Sequence, residues 1–268
     1  MAEQIVFEDG AGYERMMGVW SRLAGEVFLD WLAPPAAQRW LDVGCGNGAF
    51  TQLVVDRCAP SAVEGIDPSV AQIDYARARP AGRTARFQVA DAMALPFPDA
   101  SFDVAAMALV IFFVPDPAGA VAEMRRVVRP GGLVCTYAWD MLGGGFPLAP
   151  LARVLKAMGM PAPLPASVDA SRMEALHALW TTAGLQDIAT REIAVQRRFD
   201  SFEDLWSTSI LSASARARIE AMSPAQREEA RERLRDSVVA DPGGAITCTG
   251  RANAIRGTVP RQPARAGR

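Results

Sequence analysis

The chain is short of several residue types from which functional sites are commonly made. Its 268 residues include one histidine, His177, and one lysine, Lys156, so nearly all of its basic charge is arginine. That bias reads as an arginine- and alanine-rich coding preference rather than as a function. His177 lies in "EALHALW", inside a predicted helix, and is not expected to be catalytic. The four cysteines, Cys45, Cys58, Cys135 and Cys248, are scattered and form no CxxC pair. This argues against a zinc site, and more strongly against a disulfide framework, and no metal is expected. Net charge is only −2, so nothing points to electrostatic capture of nucleic acid or of an anionic membrane. The longest apolar run, around Val104 to Val114, is too short to span a bilayer and reads as a buried strand. The opening "MAEQIVFEDG" has no basic region followed by an apolar stretch, so no secretory signal is expected and the cytoplasm is the expected compartment.

What remains is an ordinary globular composition, 50% hydrophobic and 22% charged, at a length that suits one large α/β domain or a domain with an insertion. Residues 13–32 carry Met16, Met17, Trp20, Leu23, Val27, Phe28 and Trp31 at roughly helical spacing and stop at Pro34-Pro35. They predict an amphipathic helix or helix pair. The pattern then alternates. "RWLDV", "AVEGID", "ARFQVAD", "SFDVAAMALV" and "LVCTYAW" read as strands. Between them, helices run from the glycine turn to about Cys58, from "PSVAQ" onward, and through "DPAGAVAEMRRVVRPGG" to Pro130 and Gly131-Gly132. Such alternation implies right-handed crossovers and a parallel sheet, with ligands at the carboxyl ends of the strands. Gly143 to Ser171 reads as a surface loop with a short helix around Leu151 to Met158. "QDIATREIAVQRRF" predicts a sixth strand, helices follow over 201–240, and "AITCTGRANAIRG" predicts a last strand.

The stretch "LDVGCGNGAF", residues 41–50, places Gly44, Gly46 and Gly48 in one strand-to-helix turn. Glycines let the backbone bend sharply and approach a ligand. Gly44, Gly46 and Ala49 also satisfy the dinucleotide spacing GxGxxG/A. Asp42 argues against a dinucleotide, because a carboxylate at this turn would repel a pyrophosphate, whereas a ligand with a cationic amine would favour it. S-adenosylmethionine has such an amine, a cationic sulfonium and no phosphate. Asp67 ends the second strand in "EGIDPS", where a carboxylate can accept hydrogen bonds from both ribose hydroxyls; its alternative role is capping the next helix. Asp91 ends the third strand in "FQVADAMALPF", where it could accept from an adenine amino group beside Ala92 and Met93.

Together, "WLDVGCGNG", "VEGIDPS", "FQVADAMALPFPDASFDV" and "EMRRVVRPGGLV" resemble the class I S-adenosylmethionine-dependent methyltransferases, in the branch of the ubiquinone/menaquinone-biosynthesis type. The resemblance covers about residues 13–140 and holds four ordered motifs. It implies an α/β, Rossmann-like, doubly wound sheet of seven strands, mainly parallel with an antiparallel last strand, plus N-terminal helices and a helical cap. The implied organisation is an N-terminal helical lid over 1–35, a methyltransferase core over 36–200, and a helical cap insertion over 201–240. The last core strand would span 241–258, and a disordered tail 259–268. The resemblance further implies that Asp42, Gly44, Cys45, Gly46 and Gly48 wrap the methionine part of S-adenosylmethionine. Asp67 would hold the ribose, with Pro68 and Ser69 on the adenine side, while Asp91, Ala92 and Met93 would border the adenine. Ala108 and Leu109, with Val110, would line the cavity near the sulfonium, and Tyr13, Trp20 and Ser21 would be lid contacts.

The reaction implied is an in-line displacement in which an acceptor atom attacks the methyl carbon. Phe112 and Phe113 stand just after the fourth strand, where many relatives carry histidine or another polar residue. They suggest an apolar substrate wall, or simply core packing. Trp139 and Trp206 are further candidates for the acceptor pocket. Asp140, at the end of the fifth strand, is a candidate base with turn capping as its other role, and Tyr13 could orient substrate or cofactor. The expected partner is a small-molecule acceptor, in part apolar, with no nucleic acid and no membrane. Two other readings stay open: a non-catalytic S-adenosylmethionine-binding accessory or sensor protein, and an NAD(P)-dependent oxidoreductase.

Overall fold

The computed structural model describes residues 14–261. Its centre is one seven-stranded sheet in the order β3-β2-β1-β4-β5-β7-β6. The strands are β1 (Arg39–Val43), β2 (Ala62–Asp67), β3 (Ala85–Val89), β4 (Phe102–Ala108), β5 (Val128–Trp139), β6 (Gln186–Phe199) and β7 (Ile246–Thr258). β1 to β5 run parallel, whereas β7 is antiparallel to both of its neighbours, β5 and β6. The parallel strands are bridged by α2 (Ala49–Cys58), α3 (Val70–Ala78) and α4 (Pro117–Val127), after an N-terminal α1 (Val19–Leu32). Sheet residues such as Leu41, Val43, Ala105, Ala106 and Met107 are fully buried, as strands covered by helices on both faces must be. β1 lies between β2 and β4, so successive crossovers leave it in opposite directions, and a crevice opens above the ends of β1 and β4.

α1 buries Trp20, Ala24, Phe28 and Leu32, a stripe at four-residue spacing, against the sheet. A short π-helical turn, Glu14–Gly18, leads into it. Beyond β5 come α5 (Ala149–Ala157) and α6 (Met173–Thr182). Between β6 and β7 the chain inserts α7 (Phe202–Ser209), α8 (Ala213–Glu220) and α9 (Pro224–Asp236). α9 opens with Pro224 at its first position and a reciprocal cap between Ser223 and Gln226. These helices and α5 share a second apolar cluster that includes Leu151, Leu155, Trp206, Ile219 and Leu234.

Three boundaries differ from the sequence-based expectation. α4 ends at Val127, not at Pro130, because a residue preceding proline is driven out of helical geometry; Val128 instead joins the ladder opposite Phe102. β4 stops at Ala108, and Leu109, with φ +62°, turns the chain into the Ile111–Phe113 turn. Val259 belongs to the fold and not to a disordered tail: it is buried, its N–H bonds Gly132 and its carbonyl accepts from Gly131. Residues 262–268 lie outside the described part. Among the described residues no helix is long and apolar enough to cross a membrane.

Candidate functional site

β1 delivers the chain into the glycine turn at the crevice. Gly44 has φ +73°, and a Cβ there would stand 2.5 Å from Val110 Cγ1, so only glycine fits. Gly46 has φ +51°, and a Cβ there would meet nothing within 4 Å, because that side faces open space. The amides of the turn are largely engaged. Cys45 N–H donates to the Ile66 carbonyl at 2.8 Å and Gly48 N–H to that of Cys45 at 2.9 Å. Gly46 N–H donates to Asp67 Oδ2 at 3.0 Å, and Ala49 N–H to Asn47 Oδ1 at 3.2 Å. A turn spent in this way is a poor cradle for a pyrophosphate, which needs free N–H groups.

Asp67 closes β2 beside that turn. Its Oδ1 accepts from Ser69 N–H at 2.9 Å, so two backbone amides fix the carboxylate plane. Each oxygen keeps a lone pair for another donor. Burial raises the Asp67 pKa, and the bonds from Ser69 and Gly46 oppose that rise. Asp91, just past β3, accepts from Met93 N–H at 2.8 Å and is exposed. Three adjacent strand ends thus bring a glycine turn and two carboxylates to one cavity of about 860 Å³.

Most of the residues singled out in the sequence line this cavity. Gly44, Cys45 and Gly46 form one stretch of wall, Asp67, Pro68 and Ser69 a second, and Asp91, Ala92 and Met93 a third. Ala108 ends β4, Leu109 and Phe113 stand past it, and Ser21 reaches in from α1. Ser21 Oγ is buried there with no hydrogen-bond partner among the described residues.

Others stand elsewhere. Asp42 lies beneath the turn, off the cavity wall, where its Oδ2 accepts from Thr51 Oγ1 at 2.6 Å and fastens β1 to α2. Burial, with the nearby Asp67 charge as a smaller contribution, raises its pKa to about 7. Gly48 faces Ala76 and Phe87 rather than the cavity. Trp20 and Trp139 close over Gly250 of β7 in the core, because a position without a side chain admits both rings. Phe112 is buried behind Phe113, their ring centroids 4.6 Å apart. Trp206 packs inside the cap cluster. Asp140 is no free base: it accepts from Gly143 N–H at 2.8 Å and pairs with Arg251 Nη2 at 2.5 Å. His177 is exposed on α6 beside Thr181, away from the cavity. Tyr13 lies outside the described residues.

The wall also holds residues that the sequence reading passed over. Glu14, Asn47, Arg79, Tyr137 and the loop 163–166 all line the cavity. Asn47 carried a local signal, an asparagine inside a glycine turn, whose side-chain oxygen accepts from Ala49 N–H two residues on. Arg79 and Tyr137 carried none; only the sheet order brings the end of α3 and the inside of β5 to this crevice.

The comparisons with known proteins agree with this geometry. Residues 41–136 match the family described as a methyltransferase domain. A ubiquinone/menaquinone biosynthesis C-methyltransferase of Dinoroseobacter shibae is 38% identical over 131 residues, 47% of this chain and 52% of its own. A 2-methyl-6-phytyl-1,4-hydroquinone methyltransferase of Synechocystis is 40% identical over 113 residues, 42% of this chain and 35% of its own. The chain therefore spans about half of the first relative's length and about a third of the second's. Among solved structures, the YcgJ protein of Bacillus subtilis superimposes with a TM-score of 0.56 at 18% identity, covering 90% of this chain and 99% of that one, which shows a shared fold. The glycine turn and both strand-end acids, Asp67 and Asp91, lie inside the segment that is similar to this methyltransferase domain.

Proposed function

We propose that this protein is a methyltransferase that takes S-adenosylmethionine as methyl donor and a small, partly apolar molecule as acceptor. The observation that carries the reading is the setting of Asp67. Its carboxylate is fixed by two amides at the cavity wall and keeps acceptor capacity for the two hydroxyls of a ribose. The Gly46 amide that a pyrophosphate would need is bound to that same carboxylate, which disfavours the nicotinamide alternative. The cavity fits the cofactor in other respects: Gly46 leaves its side open, and the buried Ser21 Oγ offers an unpaired polar atom. When bound, S-adenosylmethionine supplies a methyl group on a cationic sulfonium.

In this reading Gly44, Cys45 and Gly46 border the amino-acid end, Asp67 holds the ribose, and Pro68 and Ser69 lie on the adenine side. Asp91, Ala92 and Met93 border the adenine, with Ala108 and Leu109 near the reacting end. Phe113, Val114, Pro115 and the loop 163–166 give the acceptor an apolar wall and keep water away. Asp140 is committed to Arg251, so the protein's share in the reaction is alignment, not proton abstraction by that carboxylate. The quinone and hydroquinone chemistry named for the two relatives supports an acceptor of this kind. We place the protein in the cytoplasm, a reducing compartment that suits four free, buried cysteines.

Isothermal titration with S-adenosylmethionine, S-adenosylhomocysteine and NADH tests the reading. The first two are expected to bind and the third not. Asp67→Ala is expected to weaken both by about tenfold or more, the loss of charged hydrogen bonds. Binding of NADH alone would overturn the proposal. Mass spectrometry of a quinone and hydroquinone panel then separates an enzyme from a cofactor-binding accessory protein, since only the former yields a methylated product.

A further inference from the structure

Glu14 is the first residue of the described chain, and its carboxylate reaches the cavity wall. Its Oε2 accepts from Arg79 Nη2 at 2.6 Å and from Asn47 Nδ2 at 3.4 Å. Two donors from separate elements, the residue after α3 and the glycine turn, thus converge on one oxygen. The local sequence makes room for this reach. Gly18 lies one turn further along, and a Cβ there would stand 2.7 Å from Glu14 Cδ.

The arginine is only half used. Its Nε is buried and has no hydrogen-bond partner among the described residues, while Nη2 on the same edge holds Glu14. That edge of a guanidinium matches both oxygens of a carboxylate, and Glu14 engages one side of it. The Arg79 side chain is 19% exposed and its guanidinium lies over the Tyr75 ring at 5.6 Å, so the site is partly desolvated and fixed in orientation. Asn47 is 6% exposed and its other amide atom is tied to Ala49, which sets the direction of its Nδ2 donor.

We propose that Arg79 and Asn47 form a carboxylate subsite of the cavity, filled by Glu14 in this structure and taken over by the carboxylate of an amino-acid-bearing ligand. This rests on the S-adenosylmethionine reading above. Asn47 belongs to the turn that borders the amino-acid end of the cofactor in that reading, so subsite and ligand carboxylate meet at one end of the cavity. Glu14 is then a tethered competitor. The ligand gains the Nε–Nη2 fork that Glu14 leaves incomplete, and Glu14, at the lip of the cavity, moves aside into water.

The test compares two nucleosides by titration calorimetry. S-adenosylhomocysteine carries the carboxylate, and 5′-methylthioadenosine lacks the whole amino-acid end. In the wild type the first is expected to bind more tightly. Arg79→Met is expected to weaken S-adenosylhomocysteine about tenfold or more and to leave methylthioadenosine within about twofold. Arg79→Lys, which keeps the charge without the fork, is expected to fall between, and it serves if circular dichroism shows the methionine variant unfolded. Glu14→Gln is expected to tighten S-adenosylhomocysteine alone. Equal losses for both nucleosides in the arginine variants would overturn the subsite, as would weaker binding of both in Glu14→Gln, which would make Glu14 a latch. Wild-type protein that binds neither nucleoside overturns the methyl-donor reading itself; equal affinity for both overturns the subsite alone.

Discussion

Asp42 keeps a carboxylate where charge is disfavoured. It is buried, one oxygen has no partner among the described residues, and its pKa is raised from 3.8 to about 7. The folded state therefore binds a proton more tightly than the unfolded chain does. The resulting stabilisation is fully present below about pH 4 and is lost as pH rises through 7, to a total of about 4 kcal/mol. Asp42→Asn removes the titration while leaving Thr51 an oxygen to bond. Urea unfolding is expected to show wild-type stability falling between pH 4 and 7, with the variant flatter and the more stable of the two above pH 7. Parallel pH profiles would contradict the assignment. Sequence reasoning found Asp42 and gave it a ligand; the structure gives it a threonine. The turn "GCGNG" shows where the backbone bends, but not which side of the turn a preceding side chain takes.

At the scale of elements, the end of β5 is pinned to β7. Asp140 accepts from Gly143 within the turn after β5 and pairs with Arg251 on β7. As a positioning contact, its loss should lower stability without touching the cavity. Asp140→Asn is expected to cost about 1–2 kcal/mol in thermal unfolding, the weakening of a charge-assisted bond at a partly exposed arginine. S-adenosylhomocysteine affinity should stay unchanged; a large loss of affinity at unchanged stability would return Asp140 to the site. The elements themselves were largely legible, because buried parallel strands are nearly continuous apolar runs and Pro117, Pro224 and Ser69 mark helix starts. The sequence puts the end of α4 at Pro130 and Gly131-Gly132, whereas Val128 is already extended and pairs with Phe102, a contact that only the sheet supplies.

At the scale of the whole molecule, the described residues form two apolar clusters. One packs around the sheet; the other joins α5 to the insertion between β6 and β7, with Phe202 touching both. Trp206 is the largest side chain of the smaller cluster, so Trp206→Ala should cost about 3 kcal/mol there. Hydrogen exchange is expected to show lost protection in α5, α8 and α9 while β1, β4 and β5 keep theirs, because the smaller cluster opens as its own unit. Uniform loss across the sheet would show a single cooperative core instead.

The sequence by itself determined the parallel sheet, the glycine turn and two of the acids at its strand ends. Those features are written locally, in spacing, in glycines that only one backbone geometry requires, and in carboxylates that follow apolar runs. Tertiary structure alone decided which of these groups share a cavity. The partnership of Glu14 with Arg79, the commitment of Asp140 to Arg251 and the withdrawal of Trp20 and Trp139 over Gly250 all join residues far apart in the chain. Such contacts depend on strand order and crossover direction, which set distances that no local pattern encodes.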